Sequence, residues 1–89
     1  MKEVELMIRN MMGMHARSSA LFANTATRFK SEITVCLDGL EVNGKSILGV
    51  MMLAADQGSS ICVRADGPDE DAAIAAITAL VSGKFEGEP

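Results

Sequence analysis

Residues 32–43 read EITVCLDGLEVN. Ile33, Val35 and Leu37 fall at every second position, the period of a strand with one apolar face. Asp38-Gly39 follows, a pair that accepts the positive φ values of a tight hairpin turn, and residues 40–43 form the returning strand. The same alternation recurs on either side of this hairpin. KEVELMIR (2–9) sets Val4, Leu6 and Ile8 on one face, and SICVRA (60–65) sets Ile61, Val63 and Ala65 inward. Four short, half-apolar strands predict a mostly antiparallel sheet with one covered face.

Between the strands the period lengthens. From Ala16 to about Thr27, Phe22 and Ala26, with Phe29 just beyond, sit at i, i+4 and i+7 along one side of a helix and its exit. Asn43-Gly44 turns the chain, and Ser46 is the N-cap of a short apolar helix running to about Leu53. Gln57-Gly58 ends that segment. In GPDEDAAIAAITALVSGK (67–84), Pro68 suits a first helical turn and Asp69, Glu70 and Asp71 complement the helix dipole. Ile74, Ile77 and Val81 make the apolar seam, Gly83 the stop, and KFEGEP (84–89) a frayed tail. The order β-α-β-β-α-β-α predicts an α+β open-faced sandwich: one domain over residues 1–89, with a four-stranded sheet and helices packed on one face.

The 89 residues are 48% apolar and 22% charged, a globular balance. Three Phe are the only aromatics, so the core is aliphatic and offers little for base stacking. Formal charge is −4; residues 1–65 hold seven Lys/Arg against six Asp/Glu, and residues 66–89 one against six. Without a basic stripe, nucleic-acid binding is set aside. Cys36 and Cys62 are too few and too far apart for a zinc site and read as free thiols on strands, so no metal and no cofactor are expected. No apolar run reaches 18 residues and the N-terminus lacks a signal-peptide core, which predicts a cytoplasmic protein without membrane insertion.

His15, the only histidine, lies in GMHARSSA (13–20) between a glycine and a helix start. The first turn of a helix offers unpaired N–H groups, here those of Ala16, Arg17 and Ser18, and a partial positive charge that suits an anion. A neutral imidazole nitrogen at that point can attack a phosphoryl group and hold it as a phosphoramidate. Arg17 adds a second cation, and Gly13 lets the backbone turn tightly beforehand. A loop histidine with one local hydrogen bond fits the same position. No carboxylate near in sequence stands ready to orient the ring.

GMHARSSALF, followed by SEITV and VNGKSILGVMMLAADQGSSI, resembles the HPr family, the histidine-containing phosphocarrier proteins of the bacterial phosphotransferase system. The similarity runs over about residues 2–83. It implies that His15 is phosphorylated on Nδ1 by phosphoenolpyruvate-charged enzyme I, that Arg17 assists the phosphohistidine, and that the group passes to an enzyme IIA domain in sugar uptake or its regulation. It also implies that Ser46 matches a serine modified by an HPr kinase/phosphorylase, and that the protein is a carrier and not an enzyme. One position departs from the family: proline usually follows the arginine, where this chain has Ser18. Serine restores an N–H and some flexibility near the helix start, leaving the fold intact and transfer rates at stake.

Ile47, Leu48, Val50, Met51, Met52 and Leu53 are too many apolar residues for the buried face of a short helix. With Met12 and Met14 before His15, the residues Ile47, Leu48, Met51 and Met52 are expected to form a soft docking face for several partners. Phosphorylation of Ser46 would add about two negative charges at that helix start and turn the face repulsive. The alternative function is a regulatory binding module that signals through Ser46 or the histidine state to a transcriptional regulator or kinase. A small-molecule-binding α+β domain is a third, more distant reading. A monomer is the expected state for a shuttle that shows one face to successive partners.

Overall fold

The computed structural model describes residues 1–89. Its elements are β1 (Lys2–Met7), α1 (Ala16–Thr27), β2 (Glu32–Leu37), β3 (Leu40–Asn43), α2 (Ile47–Met52), β4 (Ser60–Asp66) and α3 (Glu70–Ser82), followed by one turn over Lys84–Gly87. The sheet order is β1-β4-β2-β3 and every pairing is antiparallel. Asp38 and Gly39 both take positive φ, 50° and 85°, and close the β2–β3 hairpin as the dipeptide predicts.

Register decides which face is apolar. Val63 stands opposite Val4 on one side and Val35 on the other, so a dry row crosses three strands. Leu6, Ile33, Val35, Ile61, Val63 and Ala65 are buried on this face, under Phe22 and Ala26 of α1, Val50 of α2, and Ala73, Ile77 and Val81 of α3. Ile74 is half-buried at the edge of that seam, and the smaller Ala73 takes the innermost position. The opposite face carries Arg64 paired with Glu41 and approached by Glu3. Cys36 and Cys62 face one another across β2 and β4 and are free thiols. No helix is long and apolar enough to cross a membrane.

The two ends of α3 depart from expectation. Pro68 stands outside the helix, which begins at Glu70 with Asp69 as its N-cap. The Asp69 carboxylate caps nothing on its own helix. It accepts from the Lys30 N–H at 2.8 Å, the Ser31 N–H at 2.9 Å and the Ser31 hydroxyl at 2.6 Å, stapling the α1–β2 loop to the start of α3.

Residues 84–89 are not frayed. Gly83 has an ordinary negative φ, and the left-handed conformation falls on Lys84, Phe85 and Glu86, at φ 53°, 52° and 65°. The bonds Gly87 N–H to Gly83 O (3.1 Å) and Glu88 N–H to Lys84 O (2.9 Å) make this a left-handed turn. It swings Phe85 back into the core, where the ring is fully buried. Burying a Phe side chain is worth roughly 1.5–3 kcal/mol, one part of what holds a tail that composition alone marks as loose.

The Ser31 hydroxyl and the two loop N–H groups pull the Asp69 pKa down to about 2. A depressed carboxyl stabilises the fold above its unfolded pKa, and that contribution disappears as pH falls through about 2. Asp69→Asn should lower the thermal midpoint at neutral pH, and the gap from wild type should close as pH approaches 2. A gap that persists unchanged at pH 2 would show that the staple is not ionic.

Candidate functional site

The loop from Ile8 to Met14 is tied down before the histidine is reached. Ile8 accepts from the Gly58 N–H and donates to Ser59 O, continuing the β1–β4 ladder. The Met14 N–H donates to Ala55 O at 2.8 Å, which draws the loop against the segment after α2. Gly13 sits at φ 65°, and a Cβ there would collide with the Ala55 carbonyl oxygen, so the close approach requires glycine. Met14 fills the gap beneath as a core residue, 7% exposed, and is no part of a docking surface. Its backbone, anchored at Ala55, turns the side chain inward.

His15 is the N-cap of α1, with extended backbone and a half-buried ring. Ser19 N–H donates to His15 O at 2.8 Å as the first helical bond, while the N–H groups of Ala16 and Arg17 find no acceptor within the chain. Ser18 is different. Its N–H faces the His15 side chain in a capping-box arrangement. Its hydroxyl accepts from the His15 N–H at 2.9 Å and donates to Gly13 O at 2.8 Å. Fully buried, Ser18 thus braces the loop through its side chain, where a proline would brace it through a fixed φ.

A carboxylate that sequence proximity did not offer arrives from the far end of the chain. Glu88 Oε1 and Oε2 lie 2.9 and 3.0 Å from His15 Nε2, across 73 positions of sequence. The same carboxylate accepts from Arg17 Nη1 at 2.6 Å and from Asn10 Nδ2 at 2.9 Å. Asn10 is itself fully buried, its second amide proton given to Gly13 O at 2.8 Å. Arg17 Nη1 also donates to Phe85 O, while its other guanidinium nitrogens make no hydrogen bond within the chain. Burial opposes ionisation of Glu88, but the bonds from His15, Arg17 and Asn10 outweigh it and hold the carboxyl below the usual glutamate range. An ionised carboxylate can only accept, so Nε2 carries a proton, and in the neutral ring the lone pair falls to Nδ1.

In the neutral ring Nδ1 can thereby act as a nucleophile, set at a helix mouth with two free N–H groups and an arginine that keeps unused donors. That geometry suits capture of a phosphoryl group. The chain matches the family model for the HPr component phosphorylation site of the phosphotransferase system over residues 2–83. It belongs to the HPr family of phosphocarriers. It is 51% identical over 82 residues to phosphocarrier protein HPr of Neisseria meningitidis, covering 91% of this chain and 92% of that one. The crystal structure of HPr-C-His from Thermoanaerobacter tengcongensis superposes with a TM-score of 0.96 at 46% identity, over the whole of both chains. Crh, the catabolite repression HPr of Bacillus subtilis, is 38% identical over 90% of this chain and 95% of its own, with a TM-score of 0.66.

The apolar residues expected at a docking face are exposed, with Met14 removed. Met12 (71% exposed), Leu48 (70%) and Met52 (66%) stand out furthest, and Ile47 and Met51 are also exposed. Met11 is as exposed as these. Ser46 caps α2 as its position predicts, accepting the Gly49 N–H at 3.0 Å. Asn10 and Glu88 are the two site residues that periodicity could not single out.

Ser18→Ala should remove both loop bonds and leave the His15 N–H only its 3.2 Å bond to Gly13 O, a loss of about 1–3 kcal/mol for the two bonds together. Denaturant unfolding measures it directly. A loss under about 0.5 kcal/mol would mean that Ser18 does not replace the proline brace.

Proposed function

We propose that this HPr-family protein accepts a phosphoryl group on His15 Nδ1 from phosphoenolpyruvate-charged enzyme I and delivers it to an enzyme IIA domain, working as a cytoplasmic monomer. The single observation that carries this reading is the pairing of Nε2 with Glu88 at 2.9 Å, which assigns the lone pair of the neutral ring to Nδ1 at the mouth of α1. The unpaired N–H groups of Ala16 and Arg17 face the incoming oxygens from the helix start, and the N–H of Ser18 completes the first turn. Arg17 supplies positive charge beside the transferred group. The transfer asks for positioning and charge stabilisation more than for covalent work by the protein. A donor and an acceptor enzyme must each bring a phosphoryl site to this helix mouth. The exposed Met12, Ile47, Leu48, Met51 and Met52 offer an adaptable apolar face for both.

The second reading is regulatory, with Ser46 as a phosphorylation site for an HPr kinase/phosphorylase and a transcriptional regulator as reader. The similarity to a catabolite repression HPr favours it. Phosphate on Ser46 would lie at the start of α2, amid the docking face, and would repel an acidic partner. The two readings are compatible, because Ser46 and His15 are separate sites.

Incubation with enzyme I, phosphoenolpyruvate and Mg²⁺ should yield one acid-labile phosphoryl adduct by intact mass, absent from His15→Ala. No adduct with an active cognate enzyme I would overturn the carrier reading and leave the regulatory one. Met52→Glu should weaken enzyme I binding about tenfold or more while leaving the thermal midpoint in place, since the side chain is 66% exposed. Unchanged affinity would move the docking face elsewhere.

A further inference from the structure

We propose that Glu88 is a positioning residue for phosphoryl transfer: its carboxylate keeps the proton on His15 Nε2 and stands as the fixed counter-charge for the cationic ring that forms on phosphorylation. The inference rests on His15 being the acceptor. Its evidence is a separate part of the molecule, the turn that follows α3.

Glu88 is held like an interior group although it lies next to the last residue of the chain. Its side chain is only 11% exposed and is gripped from three sides by His15, Arg17 and Asn10. Pro89 adds a further tie through its main-chain oxygen, which accepts from the Met11 N–H at 2.6 Å. The backbone that brings Glu88 here is costly. Each non-glycine residue in the left-handed region crowds its Cβ against a carbonyl oxygen, and Lys84, Phe85 and Glu86 are three in succession. Burial of Phe85 alone would need no such turn to end at the histidine. A strained segment that delivers one carboxylate to a reactive ring points to a role at that ring.

The chemistry needs this partner at one moment. The Nδ1 lone pair attacks phosphorus of the phosphorylated donor; the Nδ1–P bond forms as the donor–phosphorus bond breaks, and that electron pair returns to the donor. No proton leaves, because Nε2 keeps its own, so the ring becomes a phosphoimidazolium. Glu88, already ionised and in place, meets the new positive charge without reorganisation. In the onward step the Nδ1–P electrons return to the ring, and the neutral Nε2–H form is restored. Partners of this kind behind a reactive histidine act by orienting it and stabilising its charged form.

The chain has one imidazole, so its Hε2 proton is a single, unambiguous NMR resonance. The test compares wild type, Glu88→Ala, Glu88→Gln and, as a control on the same turn, Glu86→Gln. Each is followed by that resonance and by the turnover and KM of enzyme I with the variant as substrate. Wild type and Glu86→Gln should show a downfield, slowly exchanging Hε2 and equal transfer. Glu88→Ala should lose the resonance and about tenfold or more in turnover at unchanged KM. Glu88→Gln, whose amide oxygen still accepts, should recover the resonance while remaining slow. Wild-type turnover in Glu88→Ala, a retained resonance, or a defect confined to KM would each overturn the proposal. Should wild type take up no phosphoryl group, the acceptor reading fails with it, and the Hε2 resonance still reports separately whether Glu88 holds the ring.

Discussion

A sheet with one apolar face has to be roofed, and this one is roofed by helices that start and stop within a few residues of its edges. Val4, Val63 and Val35 cross the sheet in a single row, so α1 and α3 must lie over them to keep that row dry. The covering constraint fixes where α1 begins. Because β1 ends at Met7 and α1 starts at Ala16, the intervening loop must climb from the sheet plane to the helix layer within eight residues. Asn10, Gly13 and Met14 make the climb by bonding to Ala55, to Glu88 and to each other, and the helix mouth comes to rest at the surface with His15 as its cap.

The site is therefore a by-product of packing that has been completed by polar contacts. Ser18 ties the His15 backbone from the helix side, and Asn10 ties Glu88 and the Gly13 carbonyl from the loop side. Between them the imidazole has Nε2 committed to Glu88 and Nδ1 turned to the helix mouth. The exposed apolar surface of α2 grows from the same geometry. α2 is six residues long and rests on the core through the fully buried Val50, so most of its other apolar side chains face outward.

The elements defined by period were legible in the sequence because each follows from short-range sterics. Alternation marked β1, β2 and β4 through Leu6, Val35 and Val63; Asp38-Gly39 marked the hairpin; Ser46 marked the start of α2. His15 and Arg17 were legible because they stand beside a helix start. The tail was not. Charge and glycine made residues 84–89 look solvated, and nothing local marks three non-glycine residues for the left-handed region. That conformation is imposed by Phe85 finding the core and by Glu88 finding partners more than 70 positions away. Met14 misled for a related reason: a methionine before a glycine-turned loop is exposed or buried according to which way the turn faces, and the Ala55 contact decides that. Ser18 showed as a departure from the family, while its bracing hydroxyl became visible only with the loop in place.

The most direct test of the central claim is the position of the phosphorus atom on the ring. In protein labelled with ¹⁵N-histidine and phosphorylated through enzyme I, the imidazole nitrogens of His15 and their coupling to ³¹P can be read in one NMR experiment. The account predicts phosphorus on Nδ1 with a proton still on Nε2. Phosphorus on Nε2, or no phosphorus on His15, would contradict it.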